Sequence, residues 1–300
     1  MLIQKIILIT VLSFNFIISQ TDFNFNYNVS PSSIQQSFPD IEVDENGDIH
    51  VVWVEQTGNS KNVYYSFSSD LGLPFSEKVQ VNSVNGIVVA FGGAGPRVRY
   101  YNGKIYVIWA DSRNGYNNTS IFMRGTSNNG QNWINDFEVS DQPHFQLYGD
   151  MEIDSLGVLH LAYYNYQSNL HFSDFRYAKL HLNGMMLEES IALGVTTEIA
   201  EPCDCCSPNI EVTPNGDVLI AYRNNINNIR DHYITKKMVG ETEFSPSLPI
   251  ADLNDMIGFC PSSSPSISVQ GDMIGGGGMH YNGEGVFLTF GNSNDLQLLL

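Results

Sequence analysis

Five turn glycines set the pattern of this chain. Gly47, Gly103, Gly157, Gly216 and Gly271 stand 56, 54, 59 and 55 residues apart. Ahead of them lie Ile41-Glu42-Val43, Arg97-Val98-Arg99, Met151-Glu152-Ile153, Ile210-Glu211-Val212 and Ile267-Ser268-Val269. Behind the first four lie the apolar runs 49–53, 105–109, 158–163 and 218–222, rich in Val, Ile, Trp and Tyr. Such runs are strands buried on both faces. A unit that returns at this period cannot bury its apolar face alone and must stack on its neighbours.

Each unit continues with a third strand, at 63–67, 120–124, 175–180, 232–236 and 286–290. A short fourth follows, as in Phe137-Glu138-Val139. No segment carries a 3.6-residue apolar period, so helices should be scarce. Repeats of four antiparallel strands describe an all-β fold, a β-propeller of four-stranded blades. Five repeats imply five blades, with a sixth left open. In the fifth repeat Gly275-Gly276-Gly277-Gly278 replaces the expected second strand, and the chain stops soon after its third. Asp22 to Tyr27 alternates apolar and polar residues and is expected to supply the missing fourth strand, closing the last blade and covering its edge.

The first residues carry one lysine, Lys5, ahead of the apolar run Ile6–Ile18, which reads as a signal peptide over 1–20 and a secreted or periplasmic protein. Residues 21–300 are then one propeller domain. Because 1–20 hold that lysine and no acid, removing them takes the net charge from −18 to −19. Without basic patches the chain is not expected to bind nucleic acid. No other run is long enough to span a bilayer. A monomer without a cofactor is expected.

Thr126-Ser127-Asn128-Asn129-Gly130-Gln131-Asn132-Trp133 follows a third strand. Asn128 is expected to bond amides two residues on, Gly130 to take a positive φ, and Trp133 to plug the turn against its own blade. Ser68-Ser69-Asp70-Leu71-Gly72-Leu73-Pro74-Phe75 repeats the pattern one unit earlier. Its frame is Ser68, Asp70, Gly72 and Phe75, and that of the later one is Thr126, Asn128, Gly130 and Trp133. These two Asp-boxes, the Asp44–Trp53 and Asn102–Trp109 runs and the period resemble the sialidase-like superfamily of Asp-box (BNR) repeat propellers, over about residues 22–300.

The resemblance implies a ligand on the face opposite the Asp-boxes, where the loops leading into each blade meet those after second strands. A sialidase-like site holds a carboxylate with three arginines, which bind it at two points each, and uses a Tyr/Glu nucleophile pair and an Asp acid/base. Onto those roles fall Asp111, Glu201 and Tyr222 as catalytic groups. Arg97, Arg113, Arg223, Arg230 and Asp231 fall to substrate binding. The early arginine motif of the family is missing, and Pro96-Arg97-Val98 only echoes it. An exo-α-sialidase-like glycosidase acting on acidic glycans is expected, or else a non-catalytic propeller that binds glycan or protein.

Glu201-Pro202-Cys203-Asp204-Cys205-Cys206-Ser207-Pro208 belongs to one lead-in loop, and Cys260 to the next. Two disulfides are expected among Cys203, Cys205, Cys206 and Cys260, and all three connectivities tie Cys260 to the cluster. A Cys203–Cys260 bridge would close a loop of about 57 residues, worth roughly 4 kcal/mol in the chain-entropy model. The alternative is a four-thiolate zinc or copper(I) site, which adjacent cysteines strain and export disfavours.

Overall fold

In a computed structural model the chain is described over residues 27–69, 74–141, 144–170, 172–193, 201–251, 253–281, 285–293, 296 and 298–299. Five antiparallel sheets follow one another, each a meander. The first holds β1 (Gln35–Val43), β2 (Ile49–Thr57), β3 (Ser60–Ser68) and β4 (Val79–Gln80). The second holds β5 (Arg97–Tyr101), β6 (Lys104–Asp111), β7 (Ser120–Thr126) and β8 (Phe137–Glu138). The third holds β9 (Phe145–Ile153), β10 (Val158–Gln167), β11 (Phe172–His181) and β12 (Met186–Ala192). In the fourth, β13 (Glu201–Pro202) and β14 (Asn209–Val212) both pair with β15 (Val218–Asn225), which is followed by β16 (His232–Lys237) and β17 (Leu248–Pro249). The fifth holds β18 (Ser266–Gln270), β19 (Met273–His280), β20 (Gly285–Asn292) and β21 (Leu298–Leu299). The one helical element among the described residues is a 3₁₀ turn at Tyr116–Asn118.

The first strands of the sheets neighbour one another in chain order, β1 beside β5, β5 beside β9, β9 beside β14 and β14 beside β18. Side chains stitch these neighbours together. Val98 N donates to Asp40 Oδ2 at 2.8 Å, Ile210 N to Asp150 Oδ2 at 3.1 Å, and Ile267 N to Asn209 Oδ1 at 2.6 Å. Two residues further on, Glu42, Arg99, Glu152 and Glu211 form a row of charge. Arg99 bonds Glu152 at 3.1 Å and reaches Asp40 at 3.4 Å. Apolar residues fill the space between sheets. Val52, Val54 and Tyr65 meet Val98, Val107 and Trp109, and Ile108 and Met123 meet Met151 and Leu161.

The fifth sheet corrects two expectations. Gly275–Gly278 does not interrupt the second strand, since β19 runs through it and pairs on both sides. At Gly277 and Gly278 glycine is required by close approach. A Cβ at Gly278 would lie 2.6 Å from the His232 ring, and one at Gly277 would lie 2.9 Å from Phe287 O. The place beside β20 expected for the N-terminal strand is held by β21. Residues 1–26, with the expected signal peptide and most of that strand, lie outside the described residues, and Tyr27 stacks on Phe75 of the first unit at 5.8 Å. Among the described residues no strand pairing joins the fifth sheet to the first. One face of β20 stays open, with Val286 76%, Leu288 74% and Phe290 52% exposed.

Candidate functional site

The loops that lead into the sheets gather at one end. At the same position of the first and third sheets, β1 and β9 bulge, and Phe38 and Tyr148 take φ of 56° and 53°. A bulky residue held there is strained, a feature that clusters at functional sites. The Tyr148 ring meets Phe91 at 6.1 Å, and its buried hydroxyl has no hydrogen-bond partner among the described residues. Ser207 Oγ donates to Gly93 O at 2.8 Å, tying the cysteine loop to the second lead-in loop.

The four cysteines lie together. Cys205 is bonded to Cys260, one of the three pairings that the sequence allows for Cys260, but it is one disulfide where two are expected, since Cys203 and Cys206 remain thiols. Cys203 and Cys206 are buried thiols whose sulfurs are 3.3 Å apart, and Cys203 Sγ is 3.5 Å from Cys205 Sγ. Arg230 Nη1 donates to Cys203 Sγ at 3.3 Å. The hydrogen bond from Cys206 and the guanidinium of Arg230 pull the Cys203 thiol down, and the same bond together with burial pushes Cys206 up. Three sulfurs this close could ligate a soft metal, but with the fourth, Cys260, bonded to Cys205 a four-thiolate set is not available.

Behind the cysteines lies a buried polar lattice. Arg223 has no exposed surface. It donates to Ser263 O at 3.1 Å, Arg230 O at 2.8 Å, Met279 O at 2.9 Å and His232 Nε2 at 2.9 Å. Accepting that bond makes His232 the Nδ1-protonated tautomer, and burial, with Arg223 next, pulls its pKa to about 3. Asp231 accepts the amides of Asn254 and Asp255 at 3.0 and 2.9 Å. Asp255 accepts Tyr281 N at 2.9 Å and holds His280 Nε2 at 3.1 Å. The carboxylate of Asp255 is 1% exposed and the His280 side chain 24%, so the imidazole faces outward on a fixed support. Beside it Phe259 and Tyr281, 58% and 37% exposed, meet edge to face at 5.5 Å.

The residues expected to converge are spread among packing roles. Arg97 bonds Asp150 at 3.2 Å on the row of first strands. Asp111 is buried and accepts Arg113 Nε and Nη2 at 3.0 and 2.7 Å and the Trp109 indole at 3.2 Å. Glu55 repeats that arrangement with Trp53 and Lys78 in the first sheet, which marks a structural device of the repeat. Arg113 also holds Asp136 at 2.6 Å and lies over Phe122. Tyr222 is inside the core between the third and fourth sheets and donates to Ser247 Oγ at 2.6 Å; burial pushes its pKa up to about 12. The expected catalytic roles of Asp111 and Tyr222, and of Arg223 as an open carboxylate clamp, meet side chains that are buried and bonded to protein partners. Glu201 pairs with Asn225 through the backbone of β13. Asp255 and His280 were not read from the sequence. The one available signal was that His280 follows the glycine run at the second-strand position.

The opposite end holds the Asp-boxes. Thr126 Oγ1 donates to Asn128 Oδ1 at 3.0 Å and accepts Gly130 N at 3.1 Å, while Asn128 Oδ1 accepts Asn132 N at 2.9 Å. Asn128 therefore reaches four residues on rather than two. Trp133 lies under Arg124 of its own sheet at 6.0 Å and also meets Tyr65 of the preceding sheet, edge to face at 5.6 Å. Asp70 and Gly72 of the first box lie outside the described residues. Two broad grooves open at this end, of about 480 Å³ beside Trp133 and about 380 Å³ beside Phe244. Among their described lining residues neither gathers a histidine, a cysteine or a buried acid, so chemistry points to the lead-in end instead.

No protein-family model and no curated protein matches the chain. Solved structures do. An ulvan lyase of polysaccharide lyase family PL25 aligns with TM-score 0.57 at 11% identity, covering 84% of this chain and 66% of that one. The α-L-arabinofuranosidase of Fusarium graminearum aligns with TM-score 0.57 at 12% identity, covering 86% and 82%. Polysaccharide lyase Uly1 aligns with TM-score 0.50 at 12% identity, covering 86% and 58%. This chain thus spans 66% of one lyase's length and 58% of the other's. At these identities the likeness is one of fold, an all-β arrangement of four-stranded sheets like that of propeller enzymes.

Proposed function

We propose that this chain is an exported propeller that acts on glycans at its lead-in end, with His280 as the acid–base group. The observation that carries the reading is the Asp255–His280 pair, 3.1 Å between Oδ1 and Nε2, with the acid buried and the imidazole partly open. Imidazole exchanges protons near neutral pH, and a fixed carboxylate sets its tautomer and orientation. The rings of Phe259 and Tyr281 offer an apolar surface for the C–H face of a sugar. The fold-level likeness to glycan-degrading enzymes is analogy and supports the same substrate class.

The narrower reading, exo-α-sialidase-like cleavage of acidic glycans, asks for three guanidinium groups open to a carboxylate. Arg97, Arg223 and Arg230 donate to protein acceptors, which favours a glycan gripped in another way. The same observation keeps a second reading in view, glycan binding without turnover.

The test is a turnover panel of fluorogenic sialosides, arabinofuranosides and uronate polysaccharides, run beside a glycan array. One class should be cleaved, and His280→Ala should lower kcat about 10²–10⁴-fold with an unchanged Tm. Binding without cleavage, indifferent to His280→Ala, selects the second reading. A mature protein that neither binds nor cleaves any glycan sinks both.

A further inference from the structure

The Cys203 sulfur lies 3.3 Å from that of Cys206 and 3.5 Å from that of Cys205. Cys203, Cys205 and Cys206 are buried, whereas their partner Cys260 is exposed. We propose that the four cysteines form a thiol–disulfide relay, in which the buried Cys203/Cys206 pair reduces the Cys205–Cys260 bridge and delivers reactive thiol to the surface at Cys260.

The steps balance without an added oxidant. The Cys203 thiolate, its proton given to water, attacks Cys205 Sγ. A Cys203–Cys205 bond forms, the Cys205–Cys260 bond breaks, and Cys260 leaves as a thiolate that takes a proton from water. Cys206 then attacks Cys203 Sγ. A Cys203–Cys206 bond forms, Cys205 leaves, and the proton lost by Cys206 passes to it. One disulfide and two thiols stand on each side.

Three features of the site favour this direction. Attack through a thiolate is the general route of exchange, and the guanidinium of Arg230, fixed by its Nε bond to Ile257 O at 3.0 Å, faces the attacking sulfur. The sulfur expelled first is the exposed one, whose charge water can solvate. The final pair is a C-x-x-C bridge, closed between two sulfurs already in contact. A small external disulfide can then oxidise the two freed thiols, in a single pass that ends with both bridges closed. Cys260 attacks it and releases one thiol, and Cys205 then attacks Cys260 Sγ and releases the second. The Cys205–Cys260 bond re-forms with Cys203–Cys206 already closed. The site is therefore a port for low-molecular-weight disulfides in an oxidising compartment.

The experiment uses the folded mature chain brought to one disulfide and two thiols by titration with dithiothreitol. Iodoacetamide is added before unfolding, and the cysteine peptides are mapped by mass spectrometry. The relay places label on Cys260 and a bond between Cys203 and Cys206. Cys203→Ser should leave the Cys205–Cys260 bridge closed and lower Cys260 labelling by more than about tenfold, in line with removal of the attacking thiolate. Cys206→Ser should stall at Cys203–Cys205 with Cys260 still labelled. Near-ultraviolet circular dichroism of each variant confirms that it has folded. An intact Cys205–Cys260 bridge in the titrated protein overturns the relay, as does one equivalent of bound zinc or copper with four titratable thiols.

Discussion

At the lead-in end, Arg223 is wholly buried and its guanidinium reaches across the fold to Ser263, Arg230, His232 and Met279. At the Asp-box end, Asn128 is half-buried and, among the described residues, bonds to residues within four of itself. Both are polar groups, Arg223 near the end of β15 and Asn128 in the turn after β7, yet one is an internal strut and the other a local clip. Burial separates them. A desolvated guanidinium must find acceptors wherever the fold brings them, because leaving one unpaired costs far more than the bonds return. A turn amide open to water forfeits little if its bond is lost.

The sharpest way to break this comparison is Arg223→Ala, which strands three carbonyls and a ring nitrogen. It should cost about 3–5 kcal/mol, the range for removing one partner from a buried charged network. The measurement is a urea melt, and a loss under ~1 kcal/mol would return Arg223 to the role of an open ligand clamp. Asn128→Ala should cost about 1 kcal/mol, as expected for one partly exposed hydrogen-bonded turn. Its melt should keep the same denaturant slope and, if glycan activity is found, the same kcat. A cost equal to that of Arg223→Ala would erase the distinction between the two ends.

The smallest effect belongs to the row of charge that runs between them. Burial, then Glu152, pushes the Glu211 carboxyl from 4.5 to about 7, and burial raises Glu42 and Glu152 as well. The folded state thus keeps a proton that the unfolded chain gives up near 4.5. Stability from this group is full below that pH and is lost as pH rises to about 7. Glu211→Gln should match the parent near pH 4.5 and exceed it at pH 7 and above in thermal melts across pH. Identical pH profiles would mean that Arg99 already neutralises the row.

Much of the fold was legible. The third strands lie where the repeat placed them, and the turn glycines that mark the repeat take positive φ, from 60° to 87°. The glycine run does not read as a strand because its reasons lie in space: Gly277 is pressed by Phe287 O and Gly278 by the His232 ring, 46 residues away in the chain. The candidate site was less legible. Arg, Asp and Tyr in loops look alike whether they face a ligand or a carbonyl, and Asp111 and Arg113 proved to satisfy each other.

What the sequence determined by itself rests on contacts within a few residues: the repeat, the strand alternation, the Thr126–Asn132 turn and the presence of four cysteines in two adjacent lead-in loops. Only the tertiary structure decided that Cys205, and not Cys203, meets Cys260, that Arg223 is a strut, and that Asp255 supports His280. Those outcomes depend on which atoms from distant segments are brought together and cut off from water. Local propensity carries no record of that, because the energy of a polar group is set by its neighbours in space.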